Sequence, residues 1–285
     1  SIEAHADTKW EPSIDVGSQA ATQIQRLGAP ESFTRIRPYV DAGTTATVDR
    51  GADGPTPSEF ALRLRARGWL DTFGGSSKTP AEFFPVEGTF GYQRAWFKGE
   101  LGLQQISWGE TFGVFIADIV NPRDQRDPLF NELSWTRIAQ GALNLQYLGE
   151  RLSVQLIYVP IPFDPILPLG TGPFNPFQFD AATANLPRKE YEEWNWRRFW
   201  ELPEGGGKAG YRFGFGLDVS GFGYTHFSRS PALVLELAPE LTGGVAVRPT
   251  RTRVHSTGLS ASQDFGSGWV ARTDMVLHID QPATS

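Results

Sequence analysis

Five arginines raise the first question of chemistry. Arg63, Arg65 and Arg67 recur at every second position, and Arg35 and Arg37 repeat that spacing upstream. In an extended strand alternate side chains share a face, so each set projects its guanidinium groups to one side. The opposite parity of the 60–71 segment is apolar, with Phe60, Leu62, Leu64, Ala66 and Leu70. If the two segments lie on neighbouring strands they make a cationic ladder, which inside a pore would favour anions. Stacked like charges repel, so Asp41 and Asp71 are the carboxylates expected to neutralise part of it. Two readings stay open: a ladder that selects solutes, and an arginine–carboxylate network that only fills and stabilises an interior.

A second polar group runs from Trp108 to Asp127. Trp108, Glu110, Asn121, Arg123, Asp124 and Asp127 stand close together in sequence, with Asp118 and Arg126 among them. Such a group suits a constriction loop. Its oxygens would also suit calcium, but the spacing does not follow an EF-hand loop. Carboxylates that cap backbone amides and pair with the arginines fit the residue types better. A third group, Trp194, Trp196 and Trp200, sits among charged residues in the 186–202 segment. It suits a short packing helix or lid at the mouth of a pore, and it could stack on a sugar or an apolar solute.

Catalysis finds little support. His5, His226, His255 and His278 are scattered, and neither Gly-x-Ser-x-Gly nor His-Glu-x-x-His occurs. His278 with Asp274 or Asp280 is the one pair expected on a strand. The chain has no cysteine, which excludes disulfides, thiolate catalysis and cysteine-bound zinc. No glycine-rich phosphate loop is present, and no cofactor is expected. The formal net charge is −6, which does not suit a nucleic-acid partner.

The elements that must position these residues read as strands. Period-two alternation marks the segments 33–48, 60–71, 139–147, 151–159 and 267–280, with further strands expected over 104–120, 211–224 and 245–255. A tight turn is expected at Lys98–Gly102 within 90–103. Residues 1–32 hold an N-terminal extension or a first strand, and 33–285 form one all-β domain with long loops at 160–208. The 31 Gly, 20 Phe and 9 Trp against a single Met agree with strands and turns. No apolar run is long enough for a transmembrane helix, and the opening residues Ser1–His5 do not read as a signal peptide. Short and long connections alternate, as they do between the two sides of an outer-membrane barrel. Tyr147, Tyr158, Tyr211 and Trp269 end the apolar parity of their strands, where interfacial aromatic girdles lie. A soluble sheet protein with an ordinary core would alternate as well.

The order Gln104-Gln105-Ile106-Ser107-Trp108-Gly109-Glu110-Thr111, then Asp118-Ile119-Val120-Asn121-Pro122-Arg123-Asp124, resembles a signature of large outer-membrane β-barrels of Gram-negative bacteria. That family is of unknown function and distantly similar to alginate-export barrels. Arg65–Asp71, Ile157–Pro160 and Ala209–Arg212 resemble it too, so the likeness covers roughly residues 60–225. Such barrels end on an aromatic residue, whereas this chain ends Gln281-Pro282-Ala283-Thr284-Ser285, which points to part of a larger barrel or to atypical closure.

The resemblance and the alternation together imply a transmembrane antiparallel β-barrel, or part of one, with long extracellular loops, in the outer membrane of a Gram-negative bacterium. They imply porin-like passage of small solutes, anionic or apolar/aromatic, with outer-membrane lipid and envelope proteins as partners and no enzymatic activity. A non-conducting anchor barrel and a secreted carbohydrate-binding β protein are the alternatives.

Overall fold

The computed structural model describes residues 6–23, 33–50, 58–70, 81–109, 116–125, 135–167, 203–230, 232–237, 245–266 and 268–282. They form thirteen strands and, among the described residues, no helix. In chain order these are β1 (Ala6–Gln23), β2 (Phe33–Arg50), β3 (Ser58–Leu70), β4 (Ala81–Arg94), β5 (Phe97–Gln104), β6 (Gln140–Leu148) and β7 (Leu152–Ile161). β8 (Glu204–Arg212), β9 (Leu217–Phe227), β10 (Leu233–Leu237), β11 (Val245–Pro249), β12 (Arg253–Asp264) and β13 (Val270–Ile279) follow.

Eleven strands make one antiparallel sheet in the order β1-β2-β3-β4-β5-β6-β7-β8-β9-β12-β13, while β10 and β11 form a separate hairpin. The sheet is not closed, and β1 and β13 are its edges. The first expected element is therefore a strand over Ala6–Gln23. The strand ends joined across 95–96, 149–151, 213–216 and 265–269 lie at one end of the sheet, and those joined across the longer intervals 105–139, 162–203 and 228–252 lie at the other.

Four local expectations are corrected. The strand expected over 245–255 is divided, 245–249 forming β11 of the separate hairpin and 253–255 opening β12 of the large sheet. The turn placed at Lys98–Gly102 falls instead at Ala95 and Trp96, and Lys98–Gly102 belongs to β5. The strand expected over 211–224 is broken at 213–216, where Gly216 adopts φ 84°, a conformation that glycine takes without steric cost. The strand expected over 104–120 stops at Gln104. There the Asn121 side chain replaces a neighbouring strand: its Oδ1 accepts from Ile106 N at 2.7 Å, and its Nδ2 donates to the Gln104 and Ile138 carbonyls at 3.2 and 2.8 Å. With those backbone groups satisfied, the chain leaves the sheet.

The two faces of the sheet differ in kind. In β3 the even positions Leu62, Leu64 and Leu70 are exposed, while Arg67 and Trp69 are buried. The same division extends across the sheet through the strand register. Asp41, Asn144, Ser220, Ser256 and Ser260 are buried, whereas Ile14, Phe90, Leu101, Leu156, Leu259 and Met275 are exposed. Met275 is 70% exposed and Ser260 1%. The buried face is thus the polar one.

The β5–β6 connection folds back over this polar face. Ile106, Trp108, Ala117, Ile119 and Val120 form an apolar cluster with Ala142, Ile157, Val159, Phe222 and Tyr224 of β6, β7 and β9. The Trp108 ring lies 5.6 Å from Phe222 and 5.5 Å from Tyr224.

Close cross-strand contacts replace bulk at some glycines of this face. A Cβ at Gly258 would collide with the Met275 carbonyl oxygen and the Phe222 ring, whereas one at Gly223 would meet nothing within 4 Å. Gly258→Ala is expected to destabilise the protein by about 1–3 kcal/mol. Gly223→Ala is expected to leave the denaturant midpoint, followed by tryptophan emission, almost unchanged.

Candidate functional site

The arginine row is assembled by the pairing of β2 with β3, which sets Asp41 opposite Arg67 and Tyr39 opposite Trp69. Asp41 is the hub. Its Oδ1 accepts from Arg65 Nε at 2.7 Å. Its Oδ2 accepts from Arg65 Nη2 at 2.9 Å and from Arg67 Nε and Nη2 at 2.8 and 2.5 Å. Two guanidinium forks on one carboxylate are charge-assisted bonds of high directional specificity. Arg63 is served from the other side, with Nη1 2.7 Å from Glu100 Oε1, which also lies 3.0 Å from Lys98 Nζ. Aromatic faces complete the row. Arg67 stacks over Trp135 at 4.0 Å and Arg37 over Trp69 at 5.1 Å.

Beside the row, carboxamides on β5, β6 and β7 form a second network. Asn144 Nδ2 donates to Gln104 Oε1 at 3.0 Å, and Asn144 Oδ1 accepts from Gln146 and Gln155 at 3.2 and 2.9 Å. Gln155 Oε1 in turn accepts from Trp108 Nε1 at 2.9 Å. Between the two networks lies a cavity of about 540 Å³, walled by Arg63, Arg65, Glu87, Gln105, Gln146 and Gln155 among others. A neighbouring cavity of about 300 Å³ reaches Asp15 and Asp41 and shares Arg63, Arg65 and Glu87 with it.

The inserted segment is fixed by its own ion pairs. Asp118 Oδ2 accepts from Arg123 Nη2 at 2.9 Å and from Arg137 Nε at 2.6 Å. Burial pushes the Arg123 pKa down, partly offset by Asp118, and the neighbouring Arg137 lowers it further. Arg229 donates to the Ile119 and Val120 carbonyls and to the buried Glu204, and Lys208 Nζ donates to the Trp108 carbonyl at 2.9 Å. Asp124 is buried and its backbone bridges to Ile166. Among the described residues no group of three or more His, Asp or Glu is arranged to hold a metal.

The structure therefore brings Arg63, Arg65 and Arg67 together with Asp41, and Trp108, Asn121, Arg123 and Asp124 into the inserted segment. Arg35 pairs in register with Ala21, on the parity of Arg37. Asp71, Glu110, Asp127, Trp194, Trp196 and Trp200 lie outside the described residues. Sequence reasoning missed Glu100, Asn144 and Gln155 as members of the site. It also missed the partner of His278, whose Nδ1 lies 2.7 Å from Ser256 Oγ. Ser256 Oγ is likewise 2.7 Å from His226 Nε2, and His226 Nδ1 is 2.7 Å from the Phe227 carbonyl. His226 and His278 line a cavity of about 290 Å³, but the buried Ser256 does not, so the trio ties β9, β12 and β13 together without exposing a nucleophile.

No family model, curated protein or solved structure matches the chain.

Asp118→Asn removes the charge that Arg123 and Arg137 share. Breaking a buried ion pair costs roughly 3–5 kcal/mol. The variant is expected to lower the unfolding midpoint and to speed tryptic cleavage of the segment, at Arg123 among other sites.

Proposed function

We propose that this sheet is all or part of the wall of an outer-membrane β-barrel channel that passes small polar solutes. The inversion of its faces carries the reading. Fully exposing a large apolar side chain forfeits about 1.5–3 kcal/mol. Leu62, Leu64, Phe90, Leu101, Leu156, Leu259, Met275 and Leu277 are each close to half exposed or more. Their combined loss in water is of the order of the ~5–15 kcal/mol that holds a whole domain together. Lipid removes that loss, and the polar face then becomes a channel lining.

Three further features support it. At the short-turn end the apolar face carries Trp96, Tyr147, Tyr211, Phe213, Phe215 and Trp269, all exposed, as at a membrane interface. Connections are short at that end and long at the other, as in outer-membrane barrels. The reach of the inserted segment favours a rolled sheet. Laid flat, β3 and β13 would stand about 40 Å apart at about 4.8 Å per strand. Trp135 nevertheless stacks 6.4 Å from Trp69 of β3, and a Cβ at Gly109 would stand 3.4 Å from Asp274 of β13. Arg137 Nη2 donates to Ser107 Oγ at 3.2 Å between them.

The inserted segment also favours a second reading, a filled barrel that anchors and does not conduct. The chain, secreted into a Gram-negative envelope, is expected in the outer membrane as a band that shifts on boiling before SDS electrophoresis, and to conduct in a planar bilayer. A heat-modifiable protein without current selects the filled barrel. A monodisperse protein that needs no detergent sinks both. Leu101→Arg, on the apolar face, is expected to cost about 2–4 kcal/mol and to deplete the membrane band. Asp41→Asn is expected to move the reversal potential toward that of chloride, because Arg65 and Arg67 lose their shared carboxylate.

A further inference from the structure

We infer that the 540 Å³ cavity between the arginine row and the carboxamide network binds an uncharged, hydroxyl-rich solute the size of a sugar. This rests on the channel reading and names its solute class. The volume falls within the range of about 300–1,000 Å³ usual for small-molecule sites. Among the described residues, Val86 and Ile106 are the only apolar side chains in its wall, and no aromatic ring lines it. It therefore offers little to an apolar or aromatic solute.

It offers an anion little as well. Arg63 and Lys98 share Glu100, and Arg65 is held by Asp41 with Glu87 close by. Each cation of the wall thus meets a carboxylate, although Asp41 serves Arg67 as well. An anion would have to draw a guanidinium out of a charge-assisted bond and leave the carboxylate behind unpaired. A hydroxyl group donates and accepts at once, adds no charge, and fits a wall where donors and acceptors are interspersed.

The wall supplies both. Asn144 uses its N–H groups on Gln104 and Glu100 and its oxygen on Gln146 and Gln155, so it positions those glutamines without reaching the solute itself. Among the described residues no hydrogen bond engages the side-chain oxygens of Gln105 and Gln146, which remain as acceptors. Arg63 donates to Glu100 through Nη1, leaving its other N–H groups as donors.

The test is a calorimetric titration of the full chain, in detergent or free of it, with glucose and with glucuronate, which has the same ring but carries a carboxylate. Glucose is expected to bind saturably and glucuronate at least about tenfold more weakly. Gln146→Leu is expected to weaken glucose about tenfold, the worth of one well-made hydrogen bond. Gln105→Leu, outside the sheet, serves if the first variant fails to fold. Glucuronate binding as tightly as glucose, an unchanged affinity in a folded variant, or no saturable glucose binding overturns the assignment. A protein that conducts without binding glucose loses the site and keeps the channel. One that binds glucose but never enters the membrane loses the channel and keeps the site.

Discussion

A strand can turn only every second side chain to one face, and in this sheet the buried face is the one that holds the polar and charged groups. Every buried charge on that face then needs a partner, because an unpaired one costs more than the sheet can return, and the carboxamides follow suit. The requirement explains why Asp41 takes two guanidinium forks, why Glu100 serves Arg63 and Lys98 together, and why Asn144 saturates all its bonding positions. Asp41 and Asn144 join neighbouring strands, and Glu100 of β5 reaches across β4 to Arg63 of β3, so the network fixes the register that the pleat alone would permit to slip.

The inserted segment answers the same constraint differently. The polar face is not uniformly polar: Ile157, Val159, Phe222 and Tyr224 make an apolar landing on β7 and β9. Trp108 buries its ring there and still satisfies its indole N–H on Gln155. Arg229 and Lys208 then bond to carbonyls that leaving the sheet would have stranded. What remains open beside the segment is the polar cavity, bounded by side chains already locked by their partners.

Much of this was legible in the sequence. Alternation in β3, β6, β7 and β13 is a local signal, and it placed the three arginines on one face with Asp41 as a neutralising carboxylate. The β5–β6 connection was not legible as an insertion. Its apolar residues between Ile106 and Val120 mimic a strand, and only the distant Ile157 and Phe222 decide that they pack on a face instead of pairing at an edge. Glu100 and Asn144 were hidden for a similar reason. Their partners lie on other strands, and the register that joins them is a property of the whole sheet. The Ser256 bridge between His226 and His278 spans 30 residues on one side and 22 on the other, beyond any sequence motif.

Every ladder of the large sheet except β9–β12 joins strands consecutive in sequence. Loop-closure entropy rises only slowly with loop length, so such a chain can grow one hairpin at a time, each new strand templated on the last. The inserted segment obeys another order. Trp108 needs β7 and β9, and Gly109 sits beside Asp274 of β13, although all of these are made after it. The sheet can therefore zip up from its first strand, while the segment waits in hand and docks last, like a bolt shot after the door has been hung.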